Sequence, residues 1–342
     1  MLNHQKNRPL FALVITGVMM STSQAKPNLT TPVDMSVLHA ADSGYHFIHQ
    51  SFSASAPKTY SSNKNDGQTN TLQTYAKPRH YQVWLAIPKQ PAGTYPFQTS
   101  KTSSKVLYML DGNAAIDDLN TDLLRALSES ASKDAPILVF IGYQTPYRFD
   151  VDARAYDYTP PLLSAKTGDK AAFKEDGRER LNGGAEQFYA MIEQEIKPWV
   201  YQQLGTKPTQ EALWGHSYGG LFVLYNLFAH PDTYQQYFSA DPSLWWQEGE
   251  MTKYWQAYQA LPKSRLTDLA KTKQLRLTFS QSSKQAANTL DTQANTAKMP
   301  LSKQAFAEEV CAHFKESCRY QFFEQSHGEV FKTSLLESLQ RF

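Results

Sequence analysis

The stretch that most constrains this chain is Glu211-Ala212-Leu213-Trp214-Gly215-His216-Ser217-Tyr218-Gly219-Gly220-Leu221-Phe222-Val223. An apolar run ends in Gly-x-Ser-x-Gly and passes at once into helical spacing at Leu221, Leu224, Tyr225 and Phe228. A strand, a tight turn and a helix in that order present a serine at the top of a parallel sheet. Such a turn strains the backbone at Ser217. It also requires that residues two positions away carry no side chain to strike the neighbouring strand or helix. Ser217 is therefore read as a nucleophile, and the rest of the chain must supply the sheet.

It does so by pattern. Residues 45–53, 79–88, 105–110, 136–142, 237–240, 273–280 and 319–324 read as strands, several of them continuous apolar runs of the kind buried on both faces. Residues 114–128, 185–204, 301–315 and 330–342 carry helical spacing. The alternation predicts an α/β fold, a mostly parallel central sheet with helices on both faces, in a single domain over 44–342. No helix separates the first two strands, so the sheet should open with an antiparallel hairpin. Residues 54–78 read as a surface hairpin loop and 146–181 as a long irregular excursion, of a length usual in functional loops.

The first 25 residues read as a secretory signal peptide. Lys6 and Arg8 precede an apolar core from Leu10 to Met20, and Ser23-Gln24-Ala25 offers small residues for cleavage. Residues 26–43 then form a flexible leader. A periplasmic or secreted protein is expected, without stable membrane insertion after cleavage. A net charge of +2 gives no footprint for nucleic acid. Cys311 and Cys318 are too far apart along one uninterrupted helix to bond. A disulfide requires the helix to end near Glu316 and the chain to turn back, and the spacing leaves both states open.

A serine needs a base. In this topology the members come in the order Ser, acid, His. His327, in Ser326-His327-Gly328 just beyond the last strand, is placed for that role, whereas His230 and His313 do not follow strands. The acid belongs after strand 273–280 or the strand before it. Residues 281–288 hold no carboxylate. Asp291 is the first acid afterwards and Asp241 follows the earlier strand, with a Ser–His dyad as the third possibility. The oxyanion hole calls for two backbone amides: Tyr218, next to the nucleophile, and Asn113, in Asp111-Gly112-Asn113 after the third strand. This chemistry needs no metal and no organic cofactor.

The chain resembles the putative esterase branch of the α/β-hydrolases, which includes periplasmic siderophore esterases and mycolyltransferases. The resemblance lies in Tyr108-Met109-Leu110-Asp111-Gly112-Asn113-Ala114, Arg154 with Asp157-Tyr158-Thr159-Pro160, Gly183-Gly184-Ala185, the elbow, Asp241-Pro242-Ser243-Leu244-Trp245-Trp246, and His327-Gly328 with Ser334-Leu335. It implies a serine esterase working through an acyl-enzyme on a small-molecule ester, a catecholate siderophore of the enterobactin or salmochelin type. Acyl transfer and non-catalytic ligand binding are the rival activities. The resemblance further implies that Arg154 lies near the pocket and attracts the anionic ligand, against a salt bridge to Asp157 or Asp150. Trp245 and Trp246 are candidates for the pocket wall, at least one of them being core. Two departures stand out. The family's Gly-x-x-Glu-like acid is missing at Ser280-Gln281-Ser282-Ser283-Lys284, and Asp241 replaces the first serine of Ser-Pro-Ser-Leu-Trp-Trp.

Overall fold

A computed structural model describes residues 31–56, 59–61, 71–73, 78–89, 104–130, 135–163, 172–174, 180–281 and 301–342. Its apolar runs form one eight-stranded sheet: β1 (Tyr45–Ala54), β2 (Arg79–Pro88), β3 (Lys105–Met109), β4 (Ile137–Tyr143), β5 (Gln210–His216), β6 (Gln236–Ala240), β7 (Gln274–Ser280) and β8 (Cys318–Phe323). The spatial order is β1-β2-β4-β3-β5-β6-β7-β8. Only β2 runs against its neighbours, pairing antiparallel with β1 and β4, so the opening hairpin is present. The other pairings are parallel.

Side chains alternate between the two faces along each strand, and both faces are covered. Val83, Leu85, Val139 and Ile141 pack beneath the helices Ala185–Met191 and Tyr218–Ala229. Trp84, Leu138, Phe140 and Trp214 pack beneath Gly112–Asp117 and His327–Arg341. Water reaches neither side of the central strands, which is why they read as unbroken apolar runs rather than as alternation. Among the described residues no helix is long and apolar enough to cross a membrane.

Several expectations need correction. The helix expected over 114–128 is two helices, Gly112–Asp117 and Thr121–Ser130, because the Asn120 side chain accepts from Leu123 N at 2.8 Å and caps a new start. The described part of the leader is docked rather than loose. Val33 N donates to Pro146 O, Asp34 N to Asp117 Oδ1 (2.7 Å), and Val37 is buried. Signal residues 1–25 lie outside the described residues. The excursion 146–181 contains the helix Val151–Asp157, capped by Asp150, whose Oδ1 accepts from Ala153 N at 3.0 Å. Two helices between β6 and β7, Glu250–Gln259 and Lys263–Thr272, were not anticipated. Cys311 and Cys318 do form a disulfide, with Cα atoms 5.0 Å apart. The helix Lys303–Phe314 stops, and the chain reverses through Lys315 at φ 51° into β8.

Candidate active site

Ser217 stands between β5 and the helix Tyr218–Ala229 at φ 60° and ψ −117°. A non-glycine backbone there costs about 1–3 kcal/mol and persists only when neighbours hold it. They do. Ser217 N donates to Ala240 O (2.9 Å), and its carbonyl accepts from Leu221 N (2.9 Å) and Ser243 N (3.2 Å). A Cβ on Gly215 would lie 2.5 Å from the Gly219 backbone, and one on Gly220 would lie 2.7 Å from Ala240 O. At Gly219 a Cβ would meet only ordinary contacts, 3.6 Å from Leu110. The requirement for a bare backbone therefore falls on Gly215 and Gly220, not on both glycines flanking the serine.

His327 is the first residue of the helix His327–Arg341, three residues earlier than the expected start. Ser326 and Glu329 close a reciprocal cap in front of it. That cap aims the imidazole back at the elbow. Nε2 lies 3.0 Å from Ser217 Oγ, and Nδ1 lies 2.6 Å from Asp241 Oδ2. A carboxylate only accepts, so Nδ1 carries the proton and Nε2 of the neutral ring accepts from the serine hydroxyl. Ser243 Oγ, 3.2 Å from Ser217 Oγ, is then the donor in that contact.

Of the two candidate acids, Asp241 is the one beside His327, while Asp291 lies outside the described residues. Asp241 follows β6 at φ 37°, and its amide donates to Thr278 O at 2.7 Å. Its buried carboxylate also accepts from Ser280 Oγ (2.5 Å) and Lys303 Nζ (2.5 Å). Burial pushes its pKa up. The hydrogen bond and charge of His327, then Lys303, outweigh burial and hold it below the usual carboxylate range. On the other side of the base, buried His216 donates from Nε2 to the His327 carbonyl at 2.8 Å. Burial, then the charge of His327, holds the His216 pKa well below its ordinary value, so it serves as a neutral donor. Hydrogen bonds account for the closeness of the His216, Asp241 and His327 ligand atoms, all within 4.8 Å of one another.

Two backbone amides are the candidate oxyanion donors. Tyr218 opens a 12-residue helix, where the dipole adds positive potential. Asn113 lies in the first turn after β3. Its Nδ2 donates to Tyr143 O and Thr145 O, both at 3.1 Å, and its Oδ1 accepts from Tyr143 N at 2.8 Å. Gly112 lets this turn press on β4, since a Cβ there would sit 2.8 Å from backbone carbons of Phe140 and Ile141.

Arg154 pairs with neither Asp157 nor Asp150. Its Nε and one terminal nitrogen grip buried Asp111 at 2.9 and 2.8 Å, and its guanidinium lies 5.7 Å from the Tyr218 ring centre. Asp157 is taken by Arg79 (2.7 Å) and Asp150 by its helix cap. Arg154 thus braces the turn that carries Asn113. Trp245 is half-buried with its ring 6.1 Å from that of Tyr218, whereas Trp246 is core and donates to Asn182 Oδ1 at 3.0 Å.

Sequence reasoning missed Lys303, Ser280, Ser243 and His216, and set Asp111 aside. Ser243 lies inside Asp241–Trp246, one of the segments that carry the family resemblance. The S-x-x-E of Ser326–Glu329 is a cap signal that marks His327 as a helix start. Lys303 meets Asp241 across 62 positions, with no local signal at all.

The family profile described as "Putative esterase" matches residues 88–342. An apo-salmochelin esterase of Escherichia coli O6:H1 is 44% identical over 169 residues, covering 48% of this chain and 48% of that protein. The ferri-bacillibactin esterase BesA of Bacillus subtilis is 32% identical over 192 residues, covering 54% of this chain and 61% of its own length. The chain thus spans about half the length of the curated relatives it matches. Among solved structures, the enterobactin hydrolase IroE in complex with DFP superposes with TM-score 0.57 at 29% identity, covering 90% of this chain and 98% of that one. The siderophore hydrolase EstA from Aspergillus nidulans shares the fold, with TM-score 0.60 at 21% identity over 86% and 93% of the two chains. A sheet order this specific, and a family match that runs from the end of β2 to the C-terminal residue, mean that the chain belongs to the putative esterase family of α/β-hydrolases.

Proposed function

We propose that this protein is a serine esterase that cleaves siderophore-type esters through an acyl-enzyme. The observation that carries the reading is the continuous hydrogen-bonded line from Ser217 Oγ through His327 to Asp241, at 3.0 and 2.6 Å. Ser217 Oγ attacks the ester carbonyl carbon while His327 Nε2 takes its proton, and Asp241 stabilises the imidazolium. The oxyanion is held by the amides of Tyr218 and Asn113. His327 returns the proton to the departing alkoxide, which leaves as the alcohol. Water, deprotonated by His327, then attacks the acyl-enzyme, and His327 passes that proton to Ser217 Oγ as the acid is released.

The names of the relatives, salmochelin and bacillibactin esterases and an enterobactin hydrolase, support a siderophore as the ester. Half-buried Trp245 beside Tyr218 suits an aromatic ligand ring. Because Arg154 is paired with Asp111, its charge is largely neutralised there, and its part in the site is to brace the turn that carries Asn113. Export behind a signal peptide at 1–25 is supported by the Cys311–Cys318 disulfide, which belongs in an oxidising compartment.

The test is hydrolysis of iron-free and ferric enterobactin beside p-nitrophenyl butyrate, by the wild type and by Ser217→Ala. Siderophore cleavage that vanishes in Ser217→Ala is expected. Turnover of the simple ester alone removes the siderophore assignment, and activity undiminished in Ser217→Ala removes the mechanism. With an acceptor alcohol added, a new ester in place of free acid would convert the reading to acyl transfer.

A further inference from the structure

The relay holds one charged group more than its chemistry needs. Lys303 Nζ reaches Asp241 Oδ1, while Oδ2 of the same carboxylate faces His327 and Ser280. Lys303 also donates to Ser280 Oγ at 3.2 Å. Ser280 ends β7, at the place where the sequence pattern called for an acid and has none. A carboxylate from the end of the preceding strand has been brought over to that position, and a hydroxyl and an ammonium receive it there.

The position of Lys303 has no explanation within its own helix. It is the first residue of Lys303–Phe314, after a Ser302 cap whose Oγ accepts from Ala305 N at 3.1 Å. A cation at a helix N-terminus sits at the unfavourable end of the dipole. Asp241 supplies the compensation. Its side chain is fully enclosed, so Oδ1 needs a partner inside the protein, and Lys303, one-third exposed, provides it from the rim.

We propose that Lys303 is a positioning residue of the esterase, sharing the Asp241 carboxylate with His327 and thereby setting how far down in pH the base remains active. The inference rests on the reading of Ser217 and His327 as nucleophile and base. Sharing has two consequences. The carboxylate cannot rotate away from His327, because both of its oxygens are held. Part of its charge is also already neutralised when the imidazolium forms. Among the described residues, the groups facing the relay are Lys303 and Ser280 at Asp241, neutral His216 against the His327 ring, and the Arg154–Asp111 pair beyond it. Glu329, on the helix of His327, is turned to Ser326. Without Lys303 the full carboxylate charge falls on His327, protonation of the base becomes easier, and activity is lost at a higher pH on the acid side.

The experiment compares wild type, Lys303→Met and Lys303→Arg from pH 5 to 9. It reads kcat and KM for p-nitrophenyl butyrate and the rate of fluorophosphonate labelling of Ser217. In Lys303→Met the acid-side half-maximum of kcat/KM and of labelling should rise by about one pH unit. At pH 8, kcat should fall about tenfold with KM within twofold. Lys303→Arg, which keeps the charge, should restore the profile. Should Lys303→Met fail to fold, Lys303→Gln carries the same expectation. An acid limb that stays in place in the neutral variant overturns the inference, whatever happens to the rate. A wild type whose Ser217 labels at no pH overturns the esterase reading itself, and this inference with it.

Discussion

Asp157 and Asp241 both have side chains with no exposure to solvent, and both are paired with a cation. Asp157 is held by Arg79 at 2.7 Å, Tyr81 Oη at 2.8 Å and Tyr143 Oη at 3.1 Å, and it ties β2 and β4 to the helix Val151–Asp157. Burial outweighs these partners and pushes its pKa up to about 6. At Asp241 burial pushes the same way, but His327 and Lys303 prevail and the pKa falls. The partners make the difference. Arg79 is itself only 7% exposed, so the whole Asp157 cluster is sealed. His327 is 44% exposed and Lys303 33%, so the Asp241 cluster has cations whose charge water helps to support. A sealed network holds elements together. One that opens on water at its cationic end can change charge during a reaction without leaving an ion stranded.

The largest effect that would break this comparison is on activity. Asp241→Asn should cost about 10³–10⁴-fold in kcat/KM for an ester substrate, by leaving the imidazolium unsupported. A loss below tenfold would put Asp241 in the same structural class as Asp157. Conversely, Asp157→Asn strands buried Arg79. It should cost about 3–5 kcal/mol in denaturant unfolding while leaving kcat of the folded protein within a few fold.

The disulfide sharpens the contrast, because it tethers only the Asp241 side. It joins the helix that carries Lys303 to the strand that leads to His327. Replacing both cysteines by serine frees a short loop worth roughly 2.5 kcal/mol by loop-closure entropy. Activity should fall together with stability, and a variant that lost stability alone would show that the tether does not serve the relay.

The smallest effect is in the pH dependence of stability, where the two acids have opposite signs. The folded-state pKa of Asp157 is raised, so its stabilising contribution is present below pH 3.8 and lost as pH climbs to about 6. The slope is at most about 1.4 kcal/mol per pH unit. The pKa of Asp241 is lowered, so its contribution is present above pH 3.8 and lost as pH falls below that value. Unfolding midpoints from pH 3 to 7 should lose the first slope in Asp157→Asn and the second in Asp241→Asn. The reverse assignment would refute the difference between the two clusters.

Much of this site was readable before the structure, and the remainder has a common character. Ser217, the adjacent Tyr218, the Asp111-Gly112-Asn113 turn and His327 at the end of β8 are each announced by neighbouring residues in the chain. Asp241 was one of two candidate acids because the strand expected to carry the acid ends in Ser280 instead. Local spacing offers Arg154 aspartates three and four positions away, whereas its partner Asp111 lies 43 positions back. Lys303 gave no signal, since nothing near it in sequence refers to the site.

The sequence by itself determined what depends on local backbone preference and on water. Apolar runs had to become strands covered on both faces, and Gly215 had to leave room for a strained serine, whereas it took the packing against Ala240 to put the second requirement on Gly220 rather than Gly219. Ser326 with Glu329 had to start a helix at His327. Only the tertiary structure decided which charges meet. The parallel register of β6 on β7, Ala240 opposite Thr278, carries Asp241 across to Ser280, and the reversal after Phe314 brings the helix of Lys303 alongside β8. Such pairings cost almost nothing to break in the extended chain and become strong only where burial has removed the water around them. They are therefore a property of the packed molecule.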